Sequence, residues 1–307
     1  MRIVYLGTPD FAVAPLKAIV GYKTAEVVGV VCNKDKPVGR KKILTPPPVK
    51  VVAEELGIPV FQYDKIRKEG AEDMRALKPD LMITCAFGQI LSQEIIDIPR
   101  LGVINIHASL LPAYRGASPI NYALLFGEKE TGITIMRTDI GIDTGDILLQ
   151  KKLSIGEKET AGELFARLSV CGAEAITQAL PLIENGTAVY IKQNDAEASF
   201  TKIIKKEDAE IDFSESSERV VNKVRAFNPA PVAYTILNGE PFKVYEAQAV
   251  CGSGQAGTII RADKELVVAT GDGAVRLSVV QKSGGKAMKD SDFLRGAKLS
   301  VGERLGK

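Results

Sequence analysis

Asn105 and His107 stand two residues apart at the end of an apolar run, and His107 is the only histidine in the 307 residues. Histidine has the ordinary pKa nearest neutrality, so this is the chain's one place for imidazole acid–base chemistry. Residues i and i+2 of a strand project to the same side, which sets a carboxamide beside an imidazole. Such a pair can donate hydrogen bonds to an oxygen on which negative charge develops. Asp143, in Gly141-Ile-Asp-Thr-Gly145, adds a carboxylate in a glycine-bounded turn. By accepting a hydrogen bond from His107 it would fix the ring's tautomer and favour its charged form. Singly, each has a plainer reading: His107 as a packed or surface side chain, Asp143 as an Asx-type turn residue.

Other chemistries find less support. Cys32, Cys85, Cys171 and Cys251 are widely separated. Without a CxxC pair or a second histidine, a zinc site of the usual spacing is not expected, and no metal is assigned. Cys85 lies in an apolar run and reads as packing; as a nucleophile it would need His107 as its base.

The elements that must position these groups follow from periodicity. Residues 2–6, 26–32, 81–86 and 102–106 are Val- and Ile-rich runs, as expected of strands buried on both faces. Helical patterns at 9–20, 49–56, 66–77 and 118–126 fall between or after them. The alternation predicts an α/β fold with a doubly wound, mostly parallel, Rossmann-like sheet. Ligands of such sheets bind beyond the carboxyl ends of the strands, where Asn105 and His107 fall. Strands at 132–137 and 146–151 should flank the Asp143 turn. A helix over 161–183 carries Leu164, Leu168, Cys171 and Ala175 at core-facing spacing. After a helix at 218–227, short strands at 232–237, 242–250, 257–261, 266–270 and 274–280 predict a small all-β barrel or sandwich. The expected domains are 1–188 (catalytic), 189–206 (linker) and 207–307 (C-terminal β domain).

Composition is that of an ordinary globular enzyme, 45% hydrophobic and 25% charged. No apolar run is long enough to span a bilayer, and the chain enters a strand at once rather than a signal peptide, so a cytoplasmic location is expected. A net charge of +2 conceals two basic stretches. Residues 219–307 carry 14 Lys and Arg against 8 Asp and Glu, and residues 33–50 have a balance of +5. Both suit a polyanionic partner, although solvated lysines serving solubility give the same count.

The motifs Asn105-x-His107, Ser109-Leu-Leu-Pro112, Tyr114-Arg-Gly-Ala117, Thr131-Gly-Ile-Thr134 and Asp143-Thr-Gly145, in this order, resemble the formyltransferases that use 10-formyltetrahydrofolate. The resemblance runs through essentially the whole chain. It is closest to members that act on methionyl initiator tRNA, through strings such as Gly7-Thr-Pro-Asp-Phe11, Arg225-Ala-Phe-Asn-Pro229 and Gly285-Lys-Ala-Met288. It implies that Asn105, His107 and Asp143 form the catalytic trio. Folate would lie along Phe87, Gly88, Gln89, Ile90 and Leu91 and along Ser109, Leu110, Leu111 and Pro112, with Phe87, Ile90 and Leu91 as apolar walls.

The implied reaction is attack of the methionyl α-amine on the formyl carbon carried by N10 of the folate. Asn105 and His107 would donate to the developing oxyanion. Asp143 would hold His107 and could organise a water that moves the amine proton to the leaving nitrogen. The inserted basic loop, with Arg40, Lys41 and Lys42, resembles one that enters the tRNA acceptor stem. By the same resemblance the C-terminal domain is a small OB-like β-barrel, with Lys286 as a candidate tRNA contact. A monomer with no membrane association is expected. The alternative is a formyl-folate enzyme acting on an amino sugar nucleotide or glycinamide ribonucleotide, or a hydrolase of the folate. It would keep the trio but has no need of two basic regions.

Overall fold

In the computed structural model, which describes residues 1–39 and 41–306, seven strands form one sheet. They are β1 (Arg2–Gly7), β2 (Glu26–Cys32), β3 (Val60–Gln62), β4 (Leu81–Cys85), β5 (Val103–His107), β6 (Glu130–Arg137) and β7 (Ile147–Ser154), in the order β7-β6-β5-β4-β1-β2-β3. Pairing is parallel from β5 across to β3. Only β6 runs the other way, antiparallel to both β5 and β7. The short connection that carries Asp143 explains the β6–β7 pair, because parallel neighbours need a crossover of about a dozen residues or more.

Strand β1 shows why the sheet is covered on both faces. Ile3, Val4, Tyr5 and Leu6 are all fully buried. Val4 and Leu6 pack into one cluster with Val31, Met74, Met82 and Ile95, and alternation sends Ile3 and Tyr5 to the other face. Burying one large apolar side chain stabilises by roughly 1.5–3 kcal/mol, so a strand with no wet face is strongly held. The helices match the sequence pattern closely (Val13–Val20, Pro48–Glu55 and Pro119–Leu125), except over 66–77. There Gly70 separates Ile66–Glu69 from Ala71–Leu77, consistent with glycine's poor helix propensity.

Contacts divide the chain into two units, neither of them one continuous stretch. The first gathers 1–119, 130–154 and 165–202; the second gathers 120–129, 155–164 and the chain from 203 onward. Residues 189–202, expected as linker, therefore belong to the first unit. Phe200–Thr201 pairs in parallel with Arg115–Gly116, and Gln193 is only 5% exposed. Low periodicity there reflects hydrogen bonding by irregular backbone rather than a free tether.

In the second unit β8 (Ala233–Leu237), β9 (Glu240–Val250), β10 (Ile259–Ala262), β11 (Leu266–Ala269) and β12 (Ala274–Gln281) form an antiparallel sheet ordered β8-β9-β12-β11-β10. Phe213, Phe227, Phe242 and Phe293 fill its core together with the helix Ser217–Ala226, whose N-cap Ser216 accepts from the Arg219 amide. The tail bonds to both borders of this sheet. The Leu305 amide donates to the Gly257 carbonyl (2.8 Å) and Ile259 to Glu303 (2.8 Å), while Gly306 donates to Ile236 (2.9 Å). Among the described residues no helix is long and apolar enough to cross a membrane.

Candidate active site

The end of β5 brings the three chemical suspects together. Asn105 and His107 occupy alternate positions of β5, paired with Met136 and Thr134 of β6. Asp143 follows β6 in the turn before β7 and has φ +52°, a left-handed backbone conformation that a non-glycine residue rarely takes. The Asn105 amide donates from Nδ2 to Asp143 Oδ1 (3.2 Å), and His107 Nδ1 lies 3.5 Å from Asp143 Oδ2. The same Oδ2 accepts from the Gly116 amide at 2.8 Å. Gly116 has φ +110°, and a Cβ there would stand 2.4 Å from the Thr201 carbonyl, so the loop can bring this N–H to the carboxylate only with glycine.

Each partner is oriented from behind. Thr84 on β4 donates from Oγ1 to Asn105 Oδ1 (3.0 Å), which turns the amide's N–H groups toward Asp143 and open space. His107 is 6% exposed, and its Nε2 lies 3.0 Å from the Tyr114 carbonyl. Both ring nitrogens thus face oxygens that accept. Gln193 reaches the turn from the first unit's last segment. Its Nε2 donates to the carbonyls of Asp143 (2.9 Å) and Gly145 (2.7 Å). Arg115, 3% exposed, holds the other end of that amide. Thr84, Tyr114 and Gln193 were missed by sequence reasoning. The register of Thr84 beside Asn105 could have suggested the first; a main-chain carbonyl and a glutamine in an aperiodic stretch leave no signal.

The expected folate segments are placed less uniformly. Phe87 and Leu91 are packed in the core cluster beside β1 and β4, so of the three expected walls only Ile90, 68% exposed, presents its side chain. An apolar residue after a strand reads the same whether it faces ligand or core. Gln89 is tied inward: it accepts from the Ile66 amide (2.8 Å) and donates to Asn33 Oδ1 (2.8 Å). Gly88, with φ +78°, makes the bend between them. On the other segment Ser109 donates to the Ala113 carbonyl (2.6 Å), and the Leu111 amide donates to Thr134 (3.1 Å). Leu110 lies against Gly132 of β6, and the Pro112 carbonyl accepts from the Ser199 amide at 3.3 Å. Burial pushes the Cys85 thiol up to about 12, which makes it a poor nucleophile at neutral pH.

The basic loop is a hairpin, Lys36–Val38 paired with Ile43–Thr45. Lys41 and Lys42 are exposed at its turn, as Lys286 is in the second unit. Arg40 lies outside the described residues. Two lysines of the counted charge are internally paired: Lys34 with Asp64 (2.7 Å) and Lys50 with Asp35 (3.0 Å). Gln62 and then Lys50 hold the Asp35 carboxyl below the usual carboxylate range. Among the described residues the remaining basic side chains of this stretch, Lys36, Lys41 and Lys42, are exposed, as are Val38, Ile43 and Leu44 beside them.

A strand-end carboxamide, imidazole and carboxylate on a mostly parallel sheet, followed by an antiparallel β unit, define a class, and comparison with known proteins gives it a name. A family model described as "Formyl transferase" matches residues 1–180, and one described as "Formyl transferase, C-terminal domain" matches 203–298. The chain belongs to the formyl transferase family and is a formyl-transferring enzyme. A methionyl-tRNA formyltransferase of Bacillus thuringiensis is 47% identical over 314 aligned residues, covering 100% of this chain and 99% of the relative. Among solved structures, an N-formyltransferase from Helicobacter canadensis, in complex with folinic acid and dTDP-3-aminofucose, has TM-score 0.69 at 21% identity. It covers 92% of this chain and 99% of that one. HypX from Aquifex aeolicus, in complex with tetrahydrofolic acid, has TM-score 0.64 at 18% identity and covers 99% of this chain and 50% of that one. At these identities the structures speak for the fold.

Proposed function

We propose that this protein transfers the formyl group of 10-formyltetrahydrofolate to the free α-amine of methionyl initiator tRNA, in the cytoplasm, to supply translation initiation. The observation that carries this reading is the 47% identity to a methionyl-tRNA formyltransferase over both chains' full lengths. The hairpin's basic tip and Lys286 supply the positive charge that a tRNA substrate needs and a small acceptor does not.

In this reading Asn105, His107 and Asp143 are the catalytic residues. As the amine attacks the formyl carbon, negative charge gathers on the formyl oxygen. Asn105 uses one Nδ2 hydrogen on Asp143 and keeps the other for that oxygen. His107 Nε2–H can join it by leaving the Tyr114 carbonyl, as catalytic hydrogen bonds often tighten only when substrate is bound. Asp143 faces His107 Nδ1, which fixes the ring's orientation, and sits where a water could carry the amine proton to the departing nitrogen.

The test is formyl transfer from labelled 10-formyltetrahydrofolate to methionyl initiator tRNA, with elongator tRNA, an amino sugar nucleotide and glycinamide ribonucleotide as competing acceptors. Turnover confined to the initiator tRNA is expected. Faster transfer to either small acceptor would replace this reading with the alternative.

A further inference from the structure

The segment containing Gln193 lies outside the motifs around the trio, yet it closes a ring of hydrogen bonds about Asp143. Starting from the carboxylate, Oδ2 accepts from the Gly116 amide. The preceding residue, Arg115, sends its guanidinium to Gln193 Oε1 twice, from Nε (3.0 Å) and Nη2 (2.8 Å). Gln193 Nε2 then donates to the main-chain carbonyls on either side of Thr144, those of Asp143 and Gly145. Every hydrogen-bonding position of the Gln193 amide is filled, and the side chain is nearly inaccessible. Arg115 is itself braced, by Asp195 (2.8 Å) and by the Phe200 ring, whose centroid is 6.0 Å from the guanidinium carbon.

This arrangement answers a mechanical need. Asp143 holds an unfavourable left-handed backbone, and such a residue keeps its geometry only where its surroundings over-determine it. The Gly116 amide secures the carboxylate, but nothing in that bond sets the peptide planes of the turn. Gln193 does so, by gripping two carbonyls flanking one residue. We propose that Gln193, clamped by Arg115, is a positioning residue for formyl transfer: it holds the Asp143 turn so that the carboxylate stays in register with His107 and Asn105. The inference rests on the catalytic role assigned to Asp143.

Gln193→Glu separates positioning from packing. A glutamate keeps both acceptor bonds to Arg115 and strengthens them by charge. It gives up both donated bonds and sets a carboxylate against two carbonyls. Gln193→Met, of similar size and without polar atoms, is the second variant, and Asp143→Ala is measured beside them. With full-length protein, labelled 10-formyltetrahydrofolate and methionyl initiator tRNA, Gln193→Glu is expected to lower kcat about a hundredfold, the scale of an ångström-sized misplacement at a reacting site. KM for both substrates should stay within about threefold, the split expected when transition-state interactions alone are removed. Both variants leave buried partners of the amide unsatisfied and should unfold at a lower thermal midpoint than the parent protein. Turnover is therefore read well below that midpoint, where Gln193→Met should lower kcat likewise. If Asp143→Ala is impaired while Gln193→Glu retains kcat, or is altered only in KM, the positioning role is overturned. If Asp143→Ala itself retains kcat, the assignment of Asp143 fails and the inference fails with it.

Discussion

Replacing Asn105 by alanine should slow the chemical step far more than it weakens the fold. The amide has three assignments: Oδ1 accepts from Thr84 at 3.0 Å, one Nδ2 hydrogen goes to Asp143 at 3.2 Å, and the other is left for substrate. Loss of a donor to a developing oxyanion raises a barrier by about 2.7–4 kcal/mol, so kcat should drop by about a hundredfold to a thousandfold. The folded state suffers less. Thr84 can turn to the Ile104 carbonyl, already 3.3 Å away, and Asp143 keeps the Gly116 amide. A net decrease of about 1 kcal/mol in stability is the scale of one such hydrogen bond.

Asn105→Asp is the harsher substitution. It sets a second carboxylate 3.2 Å from Asp143, where two unit charges repel by about 5 kcal/mol at an effective dielectric constant of about 20. The aspartate should therefore lose more activity and more stability than the alanine. Single-turnover formyl transfer at saturating folate and tRNA, read with urea unfolding of each variant, distinguishes these effects. An alanine variant with undiminished single-turnover rate, or one slowed only through KM, would refute the donor assignment.

Two further perturbations follow from the same geometry. Lys41→Ala with Lys42→Ala should lower kcat/KM for tRNA with little change in saturated turnover. The salt dependence of kcat/KM should flatten by about 0.7–0.9 in log–log slope for each phosphate no longer neutralised, and an unchanged slope would remove the hairpin tip from tRNA binding. Asp290, 1% exposed, pairs with Arg276 Nε at 2.8 Å, and removing it should destabilise the second unit by about 3 kcal/mol, the low end for a broken buried pair because Arg276 is part-exposed. Burial alone would raise this carboxyl, but Arg276 and the amides of Leu266 and Ser291 bring it below its usual value. Its stabilisation is therefore present above the unfolded pKa of about 3.9 and disappears as pH falls through the lower folded value. Acid titration of unfolding should be shallower in Asp290→Asn, and an identical titration would contradict the pairing.

The sheet was legible because strands buried on both faces leave dense Val and Ile runs, and Asn105 and His107 because alternation on a strand is a strict rule. Asp143 was marked by its bracketing glycines. The support for these residues was not legible. Gln193 acts on main-chain carbonyls, which every residue carries, and approaches from 50 positions away in sequence. Phe87 and Leu91 show a second limit: an apolar residue after a strand carries no mark of how deeply it packs, and in the structure both are nearly buried. Charge counting over 33–50 likewise could not see that Lys34 and Lys50 already have partners.

The tail of the second unit carries a consequence for association. A sheet border is a row of unpaired donors and acceptors, open to a strand from another molecule. Here residues 302–306 bond to Ile259 and Gly257 beside one border and to Ile236 on the other. A tethered segment competes at the millimolar effective concentration of a short linkage, which a foreign strand at cellular abundance does not approach. The tail thus fills part of each border from within the chain, beside Ile211, whose amide donates to Tyr234 on β8 (2.7 Å), and a strand from another molecule would have to displace these bonds first.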